Sequence, residues 1–369
     1  MSAYRVNVLA HSAQGRPADM SPPRTTARGR ESCNELVTLA LQAPRTVLAE
    51  FNTHRMVARN VESSRAIPIE KRIKMAREAP YIPGATPDGL PLMGNNPGMT
   101  ATTPLSADQL ELGQIVYRNA ANDSAHRAER LLVHGWHKQD ANRLLEPFSW
   151  TRIVATATLG NWNHFLWLRT DDDVYPPFRF LARAIAVALS RSTPRVLGDE
   201  EWHLPYITDA DREAARNTAE NRWGSTLIEK ARFGKHPDPF RGPREVTGLR
   251  GRLDDLLLLR WSVARCARIS YYNFGGGRTW EEDEKLFDKL FPAHSLSEPR
   301  QPKPHPSPAE HQARPELEYQ DARNRGGNLG PYWVQYRKLM LNEYRPDYFP
   351  SPELRESWNV PDETFDPLT

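Results

Sequence analysis

The segment ELVTLALQAP, residues 35–44, constrains the fold more than any other part of the chain. Its two alternating sets of side chains are both mainly apolar, with Leu36, Thr38 and Ala40 on one side and Val37, Leu39 and Leu41 on the other. Alternation with a period of two predicts a β-strand, and this strand is apolar on both faces. Pro44 suits the first position of a helix, so the following PRTVLAEFNTHRM is predicted to be helical.

Further periodic segments predict an α+β fold that is rich in helices. YRVNVLAH near the N-terminus has the pattern of a strand. Ser106 with Gln109, and Thr279 with Glu282, form capping boxes that each open a helix. DVYPPFRFLARAIAVALS has apolar residues at helical spacing, and WTRIVATATLGNWNHFLWLR is predicted to be helical in its later part.

Charge and cysteine content exclude several classes of protein. The 369 residues include 49 basic and 46 acidic ones, and the net charge of +3 gives no argument for a nucleic-acid partner. Cys33 and Cys266 cannot form a disulfide framework and show no zinc-binding spacing. No apolar run is long enough to cross a membrane, and no signal-peptide pattern opens the chain. We therefore expect a cytoplasmic protein.

A basic run from His54 to Arg65, HRMVARNVESSR, has the residue types of an anion pocket. Arginine makes forked contacts with phosphate, and serine hydroxyls add directional donors. From charge alone, a solvated basic helix end is the commoner explanation of such a run. The segment that carries Asn60, Ser63 and Arg65 is not expected to be helical, and that geometry would suit a phosphate pocket.

The run resembles the signature of the flavin-dependent thymidylate synthases, R-H-R-x-x-S-x-N-E-x-S-x-R. In that frame the matching residues are His54, Arg55, Asn60, Ser63 and Arg65, whereas Thr53, Ala58 and Val61 replace the family's Arg, Ser and Glu. Upstream, LALQAPRTVLAEF resembles the family's strand, Ala-Pro turn and helix. Glu50 stands there at a position that is usually Gln.

Two downstream segments also resemble elements of this family. HGWHKQDANRLLEP is similar to a helix whose arginine contacts the nucleotide, which places Arg143 in that role. NHFLWLR is similar to the family's N-F-L-x-L-R and places Arg169 near the nucleotide. The family's flavin-contacting Asn-x-Arg is missing, because residues 158–160 are Thr, Leu and Gly. Little more than Arg179 remains of its A-Q-x-E-I-R element.

The family's N-terminal elements stand after the signature instead of before it. ARCARISYYNF resembles A-A-R-V-S-[YF] and supplies Ser270, and HPSPAEH resembles H-x-[ST]-P-F-E-H and supplies His305 and Ser307. The resemblance, over residues 35–195 and 260–313, implies a rearranged, roughly circularly permuted member of a kind associated with phage genomes. We expect one intertwined domain, in which a signature-bearing core (1–195) and a polar connection (196–255) are followed by a segment (256–369) that completes the core.

The resemblance implies a fold, a reaction and its cofactors. The fold would be an antiparallel sheet with long helices, assembled as a cytoplasmic homotetramer in a bacterium or a phage-infected host. Reduced FAD would supply a hydride and 5,10-methylenetetrahydrofolate a one-carbon unit to convert dUMP to dTMP, and NADPH would re-reduce the flavin. The same chemistry on dCMP, a 5-hydroxymethyl product for modified phage DNA, and a homologue that binds nucleotide without turnover stay open.

The resemblance also assigns roles to individual residues. The implied nucleotide ligands are Glu50, Ser63, Arg65, Arg143, Arg169 and Arg337, and the implied flavin ligands are His54, Arg55, Asn60, Ser270, His305 and Ser307. Arg169, Arg65 and His54 would act on the reacting groups. Arg337 is included because Gln335 and Arg337 resemble the Gln and Arg ahead of the family signature, so that Arg337 would replace the arginine missing at Thr53.

Other polar clusters have simpler interpretations. His134 and His137 are three residues apart without a third metal ligand nearby, so we expect a capping or solvated role and no metal. Residues 171–173, all Asp, are expected to cap the next helix and not to bind magnesium. The glycines at 274–276 predict a turn, and Cys266 is expected to be a buried structural thiol.

Overall fold

The computed structural model describes residues 4–15, 34–89, 91–94, 103–198, 201–223, 253–271, 279–291, 307–315, 325–330, 332–339, 351–353 and 357. In this part of the chain, no helix is both long and apolar enough to cross a membrane. His305 and the turn predicted at 274–276 lie outside the described residues.

A five-stranded sheet forms the centre of the structure. Its strands are β1 (Arg5–Gln14), β2 (Glu35–Pro44), β3 (Ala58–Val61), β4 (Trp150–Thr158) and β5 (Arg195–Leu197), in the spatial order β3-β4-β2-β1-β5. Every neighbouring pair is antiparallel except β1 and β5. A second, small sheet pairs β6 (Ala313–Pro315) with β7 (Trp333–Gln335). The mainly antiparallel sheet with long helices confirms the predicted α+β class.

Helices pack around the sheet. The α-helices are α1 (Leu48–Phe51), α2 (Ile69–Glu78), α3 (Ala107–Val133), α4 (Lys138–Ala141), α5 (Leu159–Arg169), α6 (Pro176–Ser190), α7 (Asp209–Trp223), α8 (Leu253–Arg268) and α9 (Trp280–Leu290). Short 3₁₀ helices cover Arg45–Val47, Asn142–Phe148, Ile269–Tyr271, Ser307–Glu310, Gly327–Leu329 and Tyr336–Leu339. The capping box predicted at Ser106 is complete, because both of its hydrogen bonds with Gln109 are made.

The strand predicted to be apolar on both faces is β2, which lies in the middle of the sheet. On one face, Val37 and Leu39 join the core cluster of α5 and α6, and the indole N–H of Trp162 donates to the Val37 carbonyl at 3.1 Å. On the other face, Leu36 packs against Trp333 from the C-terminal part of the chain. Covering the second face of β2 therefore requires a segment about 300 residues further along the chain.

The helix predicted after Pro44 is shorter than expected. A 3₁₀ helix precedes α1, which ends at Phe51, and Thr53 already lies in a turn. The physical reason is Arg59, whose guanidinium donates hydrogen bonds to the Asn52, His54 and Val57 carbonyls. Because these carbonyls are satisfied by a side chain, the turn does not need a continued helical ladder.

The predicted polar connection contains ordered structure. Within residues 196–255, α7 buries Ala215 and Ala219 in a cluster with Trp261 of α8. The connection thus contributes its own apolar core next to the sheet. The proposed division into 1–195, 196–255 and 256–369 stays a prediction.

A ladder of buried hydrogen bonds runs through the core. It joins Ser12 Oγ to His203 Nδ1 at 2.8 Å, His203 Nε2 to Thr38 Oγ1 at 2.8 Å, Thr38 Oγ1 to Thr156 Oγ1 at 2.6 Å, and Thr156 Oγ1 to His311 Nδ1 at 2.8 Å. When each of the three hydroxyls donates once and the Nε2–H of neutral His203 donates to Thr38, all four hydrogen bonds form with both histidines neutral. The ladder links β1, β2 and β4 to the segment before α7 and to the C-terminal part.

The two ladder histidines predict a loss of stability in mild acid. Burial lowers the pKa of His203 and of His311 to about 3, whereas an unfolded histidine titrates near about 6.5. Because the unfolded chain takes up these protons first, the stabilisation is complete above pH ~6.5 and is lost as the pH falls toward 3. From pH ~7.5 to ~5.5 we expect the free energy of unfolding to fall by about 3 kcal/mol.

Urea unfolding at the two pH values measures this loss. Replacing one ladder histidine, as in His311→Gln, should remove about half of the pH dependence whatever it does to stability at neutral pH. An unchanged free energy of unfolding between the two pH values contradicts the buried neutral pair.

Candidate active site

The signature segment and the C-terminal elements meet in one cavity of about 590 Å³. We call it the signature cavity. The site residues predicted from the sequence that line it are Asn60, Ser63, Arg65, Ser270 and Ser307. Ser270 and Ser307 are more than 200 positions from the signature in the chain, and the fold alone brings them to it.

Local structure holds the walls of the signature cavity. The Ser270 hydroxyl donates to the Val61 carbonyl at 3.3 Å, which ties the 3₁₀ helix that follows α8 to β3. Asn142 is fully buried, and its Nδ2 donates to the Ser64 carbonyl at 2.7 Å and the Ile67 carbonyl at 3.3 Å. These contacts fix the loop that carries Ser63 and Arg65.

Asn60 offers the cavity a hydrogen-bond donor. The side chain is 6% exposed, and its Nδ2 finds no hydrogen-bond partner among the described residues. A buried amide without a partner costs free energy that a bound acceptor would recover. The cavity wall is therefore suited to a ligand that presents an acceptor, such as a ring carbonyl or a ring nitrogen.

A second group of predicted residues gathers around Arg169. Its Nε donates to His54 Nε2 at 2.9 Å, and one Nη donates to the Thr53 hydroxyl at 3.2 Å. The other Nη lies 3.4 Å from a Glu50 carboxylate oxygen, and the guanidinium stacks over the Phe178 ring. The arrangement fixes the orientation of this arginine at the end of α5.

The electrostatics of this group are consistent with a neutral His54. Burial, followed by the nearby Arg169 charge, lowers the pKa of His54 to about 4. The ring therefore accepts a hydrogen bond from Arg169 at neutral pH and leaves its other nitrogen as a donor. Glu50 and Thr53 both differ from the family's residues, and both contact Arg169. Glu50 is its charged partner, and the Thr53 hydroxyl accepts its hydrogen bond.

The remaining predicted residues lie elsewhere. Arg143 is exposed and pairs with Glu146 at 3.0 Å, outside the signature cavity. Arg55 and Arg337 line a different cavity, where Arg337 pairs with Glu310. The structure thus separates the predicted ligands into three groups and the exposed Arg143.

One buried acidic residue next to the signature strand was not predicted from the sequence. The family's signature glutamate is missing at Val61, but Glu62 follows it and is 6% exposed. A shift of one position along a strand turns a side chain to the opposite face. Burial raises the pKa of Glu62, and its carboxylate accepts from the Arg152 amide at 3.2 Å. In the sequence, Glu62 could have been noticed as a carboxylate one position after the place of the family's glutamate.

The competing clusters have structural roles. The His137 ring accepts from the Gln139 amide at the start of α4, so the predicted capping role is confirmed. Asp172 pairs with Arg179 at 2.7 Å. Cys266 is fully buried, and burial raises the pKa of its thiol, as expected for a structural residue. In the described ranges, no cluster of three or more His, Cys, Asp or Glu residues is arranged to hold a metal ion.

Residues 27–195 match the family model described as thymidylate synthase complementing protein. The match includes the signature, Arg143 and Arg169, and it ends before the C-terminal elements. Over these residues the chain is similar to the flavin-dependent thymidylate synthases. The rearranged order of its elements stays a prediction, because the matched segment does not include them.

Solved structures of other proteins are similar in part. A UMP/dUMP methylase PolB from Streptomyces cacaoi, bound with 5-Br UMP, is 20% identical over 52% of this chain and 90% of its own, with a TM-score of 0.42. A flavin-dependent thymidylate synthase from Helicobacter pylori, complexed with FAD and dUMP, is 18% identical over 44% of this chain and 72% of its own, with a TM-score of 0.29. No curated protein matches the sequence.

Asn142 provides a test of how the signature loop is held. Asn142→Ala removes both hydrogen bonds to the loop carbonyls, and we expect it to lower the free energy of unfolding by about 1–3 kcal/mol. Urea denaturation measures this change. Asn163→Ala, at an exposed position of α5, is the matched control and should stay within about 0.5 kcal/mol of the wild type. Equal effects of the two substitutions would show that Asn142 does not anchor the loop.

Proposed function

We propose that the enzyme transfers a one-carbon unit from 5,10-methylenetetrahydrofolate to C5 of a deoxypyrimidine monophosphate. By resemblance, the reaction converts dUMP to dTMP, with FAD as cofactor and NADPH as reductant. One observation carries the proposal: Asn60, Ser63 and Arg65 of the signature share a cavity with Ser270 and Ser307. Residues from family elements far apart in sequence are expected to meet in this way if they hold one flavin and nucleotide site.

The residues of the signature cavity fit a flavin. Asn60 brings a buried donor that has no partner among the described residues, and Ser270 and Ser307 bring hydroxyls. A flavin ring presents acceptors to such donors and apolar edges to the rest of the wall. Reduced FAD supplies the hydride when bound, and the protein contributes orientation and electrostatics.

The chain's own side chains have distinct tasks in the proposed reaction. Ser63 and Arg65 would hold the nucleotide phosphate through a hydroxyl and a forked guanidinium. Arg169 would stabilise negative charge that develops on the pyrimidine ring during transfer. His54 accepts from Arg169 Nε and so positions this guanidinium, since its lowered pKa keeps the ring neutral.

The surroundings of the site complete the proposal. The nucleotide and the folate would be small-molecule partners of a cytoplasmic homotetramer. Each subunit of such an assembly would contribute residues to a neighbour's site, which would bring an exposed arginine such as Arg143 to a nucleotide. The alternative substrates and products remain dCMP and a 5-hydroxymethyl group, because Glu50 departs from the family at a position that reads the base.

Tritium release from C5-labelled nucleotide tests the reaction. Purified protein with FAD, methylenetetrahydrofolate and NADPH should release tritium from dUMP faster than from dCMP. Release from dCMP alone would assign the alternative substrate. Release from neither, with flavin bound, would contradict the proposed transfer and favour a homologue that binds nucleotide without turnover.

Asn60 provides a test of the flavin site. Asn60→Ala removes the donor that lines the cavity, so we expect about tenfold weaker FAD binding, equivalent to one hydrogen bond. Fluorescence titration of the apoprotein with FAD measures the affinity, and Asn163→Ala is the control. If both substitutions leave the affinity unchanged, the flavin does not contact Asn60.

Glu50 provides a test of base selection. A carboxylate only accepts hydrogen bonds and disfavours the O4 atom of uracil, whereas the amide in Glu50→Gln can donate to that oxygen. We expect the substitution to raise the kcat/KM ratio of dUMP over dCMP about tenfold, the equivalent of one hydrogen bond. Tritium release with both nucleotides measures the ratio. An unchanged ratio would mean that Glu50 does not read the base and acts only on Arg169.

A further inference from the structure

Three side chains far from the signature cavity are arranged as a catalytic triad. Ser192 Oγ lies 2.9 Å from His11 Nδ1, and His11 Nε2 lies 2.9 Å from a Glu35 carboxylate oxygen. A serine, a histidine and a carboxylate in this order are a nucleophile, its general base and the group that orients the base. We propose that these three residues, the triad, form an active site of their own that hydrolyses carboxylic esters with an apolar acyl group.

The Glu35 carboxylate sets the tautomer of the His11 ring. A carboxylate only accepts hydrogen bonds, so the proton of the neutral ring stays on Nε2. Nδ1 then carries the lone pair, and the Ser192 hydroxyl donates to it. The His11 side chain is only 6% exposed, so few water molecules compete for these hydrogen bonds. The serine proton therefore points at a base that can accept it, as attack by the serine oxygen requires.

The sheet and one helix end hold the triad in place. Glu35 pairs with Ala13 in the antiparallel ladder of β1 and β2. Its side chain is thus on the same face as that of His11, two positions before Ala13, and the two are diagonal neighbours. Ser192 follows α6, and its amide donates to the Leu189 carbonyl at 3.1 Å. All three side chains are therefore positioned by regular structure before a substrate binds.

The end of α6 favours the charged state of His11 that the reaction would create. When the ring takes the Ser192 proton, it becomes an imidazolium. The C-terminal end of a helix carries partial negative charge and stabilises a nearby cation. Ser192 is two residues beyond the last residue of α6, and the His11 ring is hydrogen-bonded to it. Glu35 adds a full negative charge on the other side of the ring.

Ser192 lines a cavity of about 790 Å³ between β1 and α6. We call it the triad cavity. Its volume is in the range of ordinary small-molecule sites. Hydrocarbon groups gain free energy when they leave water for such an apolar wall. The apolar side chains that line the cavity are Val6, Val8, Phe180, Ala184, Val187 and Ala188.

Two arginines supply positive charge to the triad cavity. Arg183 lines it and pairs with Asp88 at 3.3 Å, so much of its charge is already compensated. Arg191 also lines the cavity and is the neighbour of Ser192 in the chain. We assign to Arg191 the stabilisation of the negative oxygen that forms when Ser192 attacks a carbonyl carbon.

The proposed hydrolysis has two steps. Ser192 Oγ attacks the ester carbonyl carbon and its proton passes to His11 Nδ1. The bond to the alcohol oxygen then breaks, and the alcohol leaves with the proton from His11. Water attacks the acyl carbon of the acyl-serine and gives a proton to His11, which returns it to Ser192 Oγ as the carboxylic acid leaves. Ester and water thus become alcohol and acid, with no change of oxidation state.

The triad cavity is separate from the signature cavity. Among the described residues, no side chain lines both. β3, which lines the signature cavity, forms one edge of the sheet, and β1 lies beyond β4 and β2. Ester hydrolysis at the triad would therefore be independent of the one-carbon transfer proposed above.

A fluorophosphonate reagent tests the nucleophile in the full-length protein. Such a reagent forms a covalent bond with a serine that a base activates. Mass spectrometry of the treated wild type should find the label on Ser192. Ser190, at the end of the same helix, is the internal control, because its hydroxyl donates to the Val187 carbonyl at 2.9 Å and not to a histidine. No label on the wild type, or equal labelling of Ser190 and Ser192, would overturn the proposal.

Hydrolysis of 4-nitrophenyl butyrate measures the reaction itself. Ser192→Ala should abolish it, whereas Ser190→Ala should leave it unchanged. The amide in Glu35→Gln can donate to Nε2 and favour the wrong tautomer. We expect this substitution to lower kcat about 10²–10⁴-fold with little change in KM. If kcat is unchanged in Ser192→Ala or Glu35→Gln, with the fold intact by circular dichroism, the three residues only tie β1 and β2 to the end of α6.

The acyl group is tested by comparing the butyrate ester with the acetate ester. Two additional CH₂ groups against the apolar lining should raise kcat/KM about tenfold. Equal values for the two esters would contradict the assignment of the triad cavity to an apolar acyl group.

Discussion

The buried ladder from Ser12 to His311 is the interaction on which the rest of the structure depends. A polar group in the core is stable only when its hydrogen bonds are made, and each rung of the ladder comes from a different segment of the chain. Burying Thr38 of β2 therefore requires His203, and burying Thr156 of β4 requires His311. The ladder in this way couples the sheet to the segment before α7 and to the C-terminal part.

This coupling explains how the two cavities are assembled. His311 follows Ser307–Glu310 directly, so its hydrogen bond to Thr156 holds that 3₁₀ helix against the sheet. The same 3₁₀ helix contributes Ser307 to the signature cavity and Glu310 to the separate cavity that Arg55 and Arg337 line. One anchoring contact in the core thus places side chains on the walls of both sites.

The signature segment shows how substitutions at a site compensate one another. Thr53 and Glu50 look like independent losses when the sequence is compared with the family signature. In the structure both contact Arg169, which gains a carboxylate partner and a hydroxyl acceptor. A second arginine at position 53 would stand beside Arg169 and repel it, unless an anion lay between them. The departures are better understood as one change in the surroundings of Arg169.

Local sequence patterns predicted the elements whose signals are local. The capping box at Ser106, the alternation of β2 and the cap at His137 depend on residues within a few positions of one another, and the structure confirms them. The predicted length of α1 was wrong, because Arg59 donates hydrogen bonds to carbonyl oxygens that would have been bonded within a longer helix. Single histidines such as His203 carry no periodic signal, so their role in the ladder could not be predicted.

The sequence by itself determined the α+β class, the likeness to a family over residues 27–195 and the residue types that gather at the site, because motifs and periodicity are properties of neighbouring residues. Only the tertiary structure decided which of those residues meet. It brought Ser270 and Ser307 to Asn60, left Arg143 on the surface, and placed Arg55 with Arg337 in a separate cavity. The physical reason is that these proximities follow from covering both faces of β2 and satisfying the buried ladder, and both requirements involve segments far apart in the chain.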